Sequence, residues 1–275
     1  MLGIGRLVKE VSYDAKIRFR QDSWHQLLAC VAPNFHEYRR LFHLSNDIVI
    51  SEERNYLYVA NLKAASTSVR NRLWELGGNS PLEDPTEIWA VQDGMTFARN
   101  LPQDVVISAF QDRDWFRFSF VRNPFARLVS TYKFLVPRLP PPNGGGSKVH
   151  LNPSKYRWHP GFNNTVSFEQ FIHIACTDKQ YFRDQHIHRQ VDLLHIPAIS
   201  YEFIGKIENL THDLSFVLRK LNAPSWVVER AAIVDNKTRA DDRLSDWFTT
   251  ELAEKVRIHY AEDFRTFDYP YSLPD

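Results

Sequence analysis

The 275-residue chain carries only two cysteines, Cys30 and Cys176. Two thiols cannot build a disulfide framework, which excludes the small stapled scaffolds. Long hydrophobic runs are missing too: stretches such as Leu27 to Ala32 are far too short to span a bilayer. The opening residues, Met1 to Glu10, lack the apolar core of a secretory signal. Neither sign of charge is in excess, since 34 Lys and Arg against 33 Asp and Glu leave a net charge of +1. That balance supplies no global field of the kind that gathers nucleic acid. There is no internal repeat. The apolar and charged fractions, 43% and 24%, are those of an ordinary globular chain, long enough for one large domain or two small ones.

What the chain does contain is a pair of short basic segments, each at a strand-to-helix junction. The first reads Asn55-Tyr-Leu-Tyr-Val-Ala-Asn-Leu62, then Lys63-Ala-Ala-Ser-Thr-Ser68, then Val69-Arg-Asn-Arg-Leu-Trp-Glu-Leu76. Its aromatic and branched alternation predicts a buried strand over 57–62, and Gly77-Gly78 a helix stop. The loop between them offers free N–H groups at a helix N-terminus, where the dipole attracts phosphate. Lys63 adds a point charge, and Ser66, Thr67 and Ser68 add hydroxyls. Alternatively, Ser66 or Thr67 is only a helix N-cap. The loop is not a Walker A loop: the lysine comes first, no glycine occurs, and no hydroxyl follows the lysine directly to hold magnesium.

The second segment reads Phe116-Arg-Phe-Ser-Phe-Val121, then Arg122-Asn-Pro124, then Phe125-Ala-Arg-Leu-Val-Ser-Thr-Tyr132. Asn123 suits an N-cap and Pro124 the first helical position. Phe125, Leu128, Val129 and Tyr132 form one apolar helix face, and Ser130 falls on another. Arg122, at the strand end, can fork onto a phosphate; the plainer alternative makes it an ion-pair partner and Ser130 a solvated hydroxyl. Two anion-binding junctions suit a ligand with phosphates at both ends.

These residues resemble a known family. Lys63-Ala-Ala-Ser-Thr-Ser68 resembles the 5′-phosphosulfate loop of carbohydrate sulfotransferases, and Arg122 to Ser130 resembles their 3′-phosphate motif. Asp184-Gln-His186, Tyr201 to Glu208 and His259 to Tyr269 resemble three further segments of that family, in the same order. The chondroitin, dermatan and glucuronyl-glycan enzymes are the nearest in pattern, and the first loop also resembles that of uronyl and heparan 2-O-sulfotransferases.

The resemblance implies an enzyme that moves a sulfuryl group from 3′-phosphoadenosine 5′-phosphosulfate (PAPS) to a hydroxyl, on a glycan or another hydroxyl-bearing acceptor, without a metal. Lys63 would stabilise the leaving 5′-phosphate oxygen. The loop residues Lys63, Ala64, Ala65, Ser66, Thr67 and Ser68 would hold the phosphosulfate, and Arg122 with Ser130 the 3′-phosphate. The implied fold is the P-loop nucleotide-kinase-like sulfotransferase architecture.

One departure concerns the general base. Many relatives carry a histidine between the two phosphate motifs, whereas none lies between Lys63 and Arg122 here. Asp93, beside Gln92, stands near that place as a base or as a turn residue before Gly94. His186 is the other candidate, since a histidine needs little tuning near neutral pH; a structural or substrate-orienting role is the alternative. His188, two residues on, completes no metal set of convincing spacing. The departure keeps a catalytically inactive glycan-binding domain open as a second function. A P-loop kinase is a third, opposed by the missing Walker A glycines and by the Arg122/Ser130 pair.

Secreted relatives often carry cysteines where this chain has Ser66 and Leu194. With no predicted span, that leads to the expectation of a cytoplasmic enzyme, the alternative being a lumenal Golgi domain without its anchor. Residues 1–45 are expected to form a helical extension on a single domain over 46–275. Strands are predicted at 48–50, 57–62, 105–109, 116–121 and 203–207. Helical stretches between them give the alternating order of an α/β fold, a parallel central sheet flanked by helices. Ligands of such sheets bind beyond the strands' carboxyl ends. Ser167-Phe-Glu-Gln170 reads as a capping box opening a helix to about Thr177. Another helix is predicted over 211–221. Pro137 to Ser147, rich in Pro and Gly, reads as a mobile loop, either a lid or a plain insertion. Basic residues Arg127, Lys133 and Arg138 can attract an anion or simply line a solvated helix face. Lys237 and Arg239 stand between the same alternatives. Trp89, Trp115, Tyr156 and Trp158 are candidates for stacking on sugar rings or for core packing.

Overall fold

The computed structural model describes residues 48–91, 94–139, 141, 162–177, 185–196, 199–235 and 243–274. The expected N-terminal extension, Cys30, Gln92, Asp93, residues 142–147, Tyr156, Trp158, Asp184, Lys237 and Arg239 lie outside these residues.

Four strands form one sheet in chain order: β1 (Ile48–Ser51), β2 (Tyr56–Val59), β3 (Phe116–Val121) and β4 (Phe203–Lys206). β2, β3 and β4 run parallel, with Tyr58 beside Phe118 and Phe118 beside Phe203. β1 departs from the all-parallel expectation: it pairs antiparallel with β2, Ile48 opposite Val59. The turn of residues 52–55 joins them, with Asn55 at φ 49°, and so short a connection permits only an antiparallel hairpin.

Alternation along the strands sends side chains to two faces. Tyr56, Tyr58, Phe118 and Phe120 pack on one face, against α1 (Ser66–Leu76) through Val69 and Leu73. Leu57, Val59 and Val121 pack on the other, joined by Val106 and Ala109 of α2 (Gln103–Gln111) and by Phe125 and Leu128 of α3 (Pro124–Leu135). Phe171 of α4 (Phe168–Ala175) and the short α5 (Gln190–Leu193) lie on that second side. The first face is completed by α6 (Leu210–Lys220) and α7 (Ser225–Glu229), the second by α8 (Thr250–His259) and α9 (Ala261–Thr266). Among the described residues no helix is long and apolar enough to cross a membrane.

Local chemistry sets the helix ends. Asn123 Oδ1 accepts the Phe125 N–H at 2.9 Å, and Pro124 opens α3. Ser167 and Gln170 complete the reciprocal capping box of α4. Asn222, at φ 55°, closes the turn after α6. The segment predicted as a strand over 105–109 is helix α2 instead. Its β-branched Val105, Val106 and Ile107 favour strands, but burial of Val106 and Ala109 on one side, three residues apart, decides for a helix. The run from His259 to Tyr269 is not one helix: it breaks at Tyr260 between α8 and α9, and Asp268 takes φ 50°.

α1 is tied to the C-terminal part of the fold by buried charge. Glu75 accepts from Arg72 Nη2 at 2.8 Å and from Arg230 Nε at 3.0 Å. Arg72 also donates to the Arg230 carbonyl at 2.8 Å. Glu75 and Arg72 are both about 1% exposed. Removing Glu75 leaves the buried Arg72 only the longer pairing with Asp235 at 3.5 Å, so Glu75→Ala is expected to destabilise the fold by about 3 kcal/mol. A urea midpoint equal to that of the wild type would contradict this.

Candidate functional site

The ends of β2 and β3 open on the same edge of the sheet, and both basic segments leave from there. After Val59 the chain turns through Asn61, which is fully buried. Its Nδ2 donates to the Phe120 carbonyl at 3.0 Å and to Gln190 Oε1 at 2.9 Å. Lys63 and Ala65 then take left-handed backbone, φ 67° and 55°. Such conformations are unfavourable for residues with a Cβ and cluster at ligand-binding loops.

The left-handed Ala65 is the N-cap of α1, and no side chain caps the helix. Neither Ser66 nor Thr67 therefore serves as the cap. The first-turn N–H groups have no intrahelical acceptor, which fits an anion. Ala64, Ser66, Thr67 and Ser68 are all buried. Two hydroxyls already have protein partners: Thr67 Oγ1 accepts the Trp89 indole N–H at 3.1 Å, and Ser68 Oγ accepts the Asp235 N–H at 2.9 Å. Trp89 stays 39% exposed with Arg70 at 4.0 Å from its ring. Trp115, by contrast, packs in the core.

The second segment meets the first directly. Arg122 Nη1 donates to the Lys63 carbonyl at 3.3 Å. Gln190 holds Arg122 through both backbone groups, accepting its N–H at 3.0 Å and donating to its carbonyl at 2.8 Å. Asp263 in turn accepts the N–H groups of Gln190 and Val191 at 2.8 and 2.9 Å. Burial pushes that carboxyl up to about 6 despite the two bonds. Glu208 accepts the Asn123 N–H at 2.7 Å and the Tyr269 hydroxyl at 2.9 Å. Four of the family-like segments thus converge at the strand ends.

Along α3, Arg127, Ser130, Thr131 and Phe134 fall on one helical face by their spacing. Ser130 is about 1% exposed, so it is not a solvated hydroxyl. Phe134 gathers the cations: Lys63 Nζ lies 4.1 Å and the Arg138 guanidinium 4.2 Å from its ring centroid. The His186 ring lies 5.1 Å from it. Lys63, Arg122, Arg138 and His186 are therefore brought together, whereas Asp93, the other candidate base, lies outside the described residues. Sequence reasoning did not single out Phe134, Gln190, Asp263 or Glu208. The interval of seven from Arg127 to Phe134 was the available signal for the first.

Electrostatics follow from this crowding. Burial first, then the neighbouring Arg122, Arg138 and Arg127 in that order, together lower the Lys63 amine from the ordinary lysine value of 10.5 to about 7. Each of these effects opposes the charged form, and a bound anion would reverse the electrostatic part. The unfolded chain holds this proton more firmly than the folded one. Stability linked to Lys63 therefore rises as pH increases from about 7 to 10.5, and the penalty is complete below 7. Acylation of Lys63, followed by peptide mass spectrometry across pH, is expected to show a midpoint near 7. Arg138→Ala should move it upward; an ordinary lysine midpoint would refute the crowding.

The profile of the Sulfotransferase family matches residues 46–270, which includes every element of this edge. Carbohydrate sulfotransferase 14 of Danio rerio is 25% identical over 243 residues, covering 82% of this chain and 63% of its own length. Carbohydrate sulfotransferase 11 of Rattus norvegicus is 25% identical over 241 residues, covering 83% of this chain and 68% of its own. Carbohydrate sulfotransferase 12 of Xenopus laevis is 29% identical over 182 residues, 56% of this chain and 40% of its own. The chain thus spans less than two thirds of the zebrafish protein that it matches. No solved structure matches. With the family profile running through both basic junctions and on to α9, the chain belongs to the sulfotransferase family.

Proposed function

We propose that the protein transfers a sulfuryl group from PAPS to a hydroxyl of a carbohydrate acceptor. The observation that carries this reading is the meeting of the two junctions in one cleft, Arg122 Nη1 at 3.3 Å from the Lys63 carbonyl. The names of the relatives, all carbohydrate sulfotransferases, support a sugar as acceptor. In this reading the first-turn N–H groups of α1 and Lys63 hold the phosphosulfate end, and Arg122 with Ser130 holds the 3′-phosphate. Lys63 stabilises charge as it develops on the leaving oxygen. In-line sulfuryl transfer resembles phosphoryl transfer, so positioning and charge stabilisation do most of the work. His186, beside Phe134, is the base candidate on the described side of the cleft.

The stretch between Lys63 and Arg122 holds no histidine, which favours one second reading, a domain that binds donor and glycan without transferring. Incubation with radiosulfate-labelled PAPS and a panel of glycans separates the two: labelled product supports transfer, and donor binding without product supports the second reading. Lys63→Ala should reduce turnover by roughly 10²–10³, with the fold intact by circular dichroism. Arg122→Ala should weaken 3′,5′-ADP binding far more than ATP binding. Tighter binding of ATP than of 3′,5′-ADP by the wild type would overturn the donor assignment.

A further inference from the structure

The segment from Gln185 to His188 has no regular secondary structure, yet all four of its carbonyls are held by side chains. Arg127 Nη2 donates to Gln185 at 3.2 Å and Nη1 to His188 at 2.7 Å. The Tyr260 hydroxyl donates to Ile187 at 2.5 Å. Thr131 Oγ1 lies 3.0 Å from the His186 carbonyl and 2.9 Å from that of Arg127, sharing its proton between them. The third arm of the same guanidinium, Arg127 Nε, donates to the Leu62 carbonyl at 3.0 Å, one residue before Lys63. Arg127 is about 1% exposed and is thus neither a solvated helix-face charge nor turned towards a ligand in bulk water.

A planar fork with donors in fixed directions can join two backbones in one geometry; an ammonium on a flexible stem cannot. The segments it joins are the ones that carry Lys63 and His186, which both lie against Phe134. Arg127 and Phe134 share a face of α3, two turns apart. The left-handed Lys63 needs such external support, because its own backbone preference opposes the conformation.

We propose that Arg127 is a positioning residue that holds the Lys63 loop and the Gln185–His188 segment in one register, so that Lys63 and His186 address the same bound anion. This rests on the reading of the cleft as a donor site. Its function is distinct from that of Arg122: Arg127 touches no ligand and acts through the carbonyls of its neighbours.

The test uses 3′,5′-ADP as probe and chemical modification as readout, acylation for Lys63 and carbethoxylation for His186, each quantified by mass spectrometry. In the wild type, probe at ten times its Kd should slow both modifications about tenfold by mass action. In Arg127→Lys, with probe raised to the same occupancy, protection of Lys63 should persist and protection of His186 should be lost. A merely structural role would lower the melting temperature and leave both protections intact at matched occupancy, which would overturn the proposal. Thr131→Val provides a milder second variant. It should keep the affinity for 3′,5′-ADP within about twofold, as the Leu62 side of the clamp is untouched, while protection of His186 falls severalfold. Full protection of His186 in Thr131→Val would likewise count against the clamp. Failure of the wild type to bind 3′,5′-ADP sinks the donor reading itself. Binding that protects Lys63 but not His186 in the wild type sinks only the shared address.

Discussion

Like charges crowded together at the ends of β2 and β3, partly out of water, are the constraint on which the rest of this structure depends. Lys63 is half-buried beside Arg122, Arg127 and Arg138, and its amine falls to about 7 as a result. No arrangement of that kind forms spontaneously, because burial and mutual repulsion both oppose it. It persists where the surrounding backbone is over-determined, and a bound anion would relieve the repulsion.

The over-determination is visible one step out from the cations. Gln190 holds both backbone groups of Arg122 and also accepts from Asn61, so one amide joins the ends of β2 and β3. Asp263 of α9 orients the backbone of Gln190, and Tyr260 between α8 and α9 holds Ile187. The C-terminal helices thus support the site without entering it. Glu208, just past β4, does the same for Asn123. These carboxylates and amides are spent on backbone N–H and C=O groups. They stiffen the strand ends from which both basic segments leave.

The legibility of the chain followed the range of the interaction concerned. The Asn123–Pro124 helix start, the Ser167–Gln170 capping box, and the β3 strand at 116–121 were readable because each depends on residues within a few positions. The 105–109 segment was misread because its β-branched residues favour a strand locally, and only packing of Val106 and Ala109 against the sheet made it helix. The hydroxyls of Thr67 and Ser68 looked like equal members of an anion loop. The structure gives them to Trp89 and Asp235, partners 22 and 167 residues away. Arg127 read as an anion attractor or a solvated helix-face charge because nothing near it in sequence accepts three hydrogen bonds; its acceptors at 62, 185 and 188 are assembled only by the fold.

By itself, the sequence determined that two basic segments would stand at strand-to-helix junctions, because strand alternation and helix starts are local properties of the chain. Only the tertiary structure decided that the two junctions meet. Parallel pairing of β2 with β3 sets their ends side by side, and α3 carries Arg127 and Phe134 across to Lys63 and His186. Hydrogen-bond direction and burial act through space, and separations of 50 residues or more along the chain leave no local trace of them.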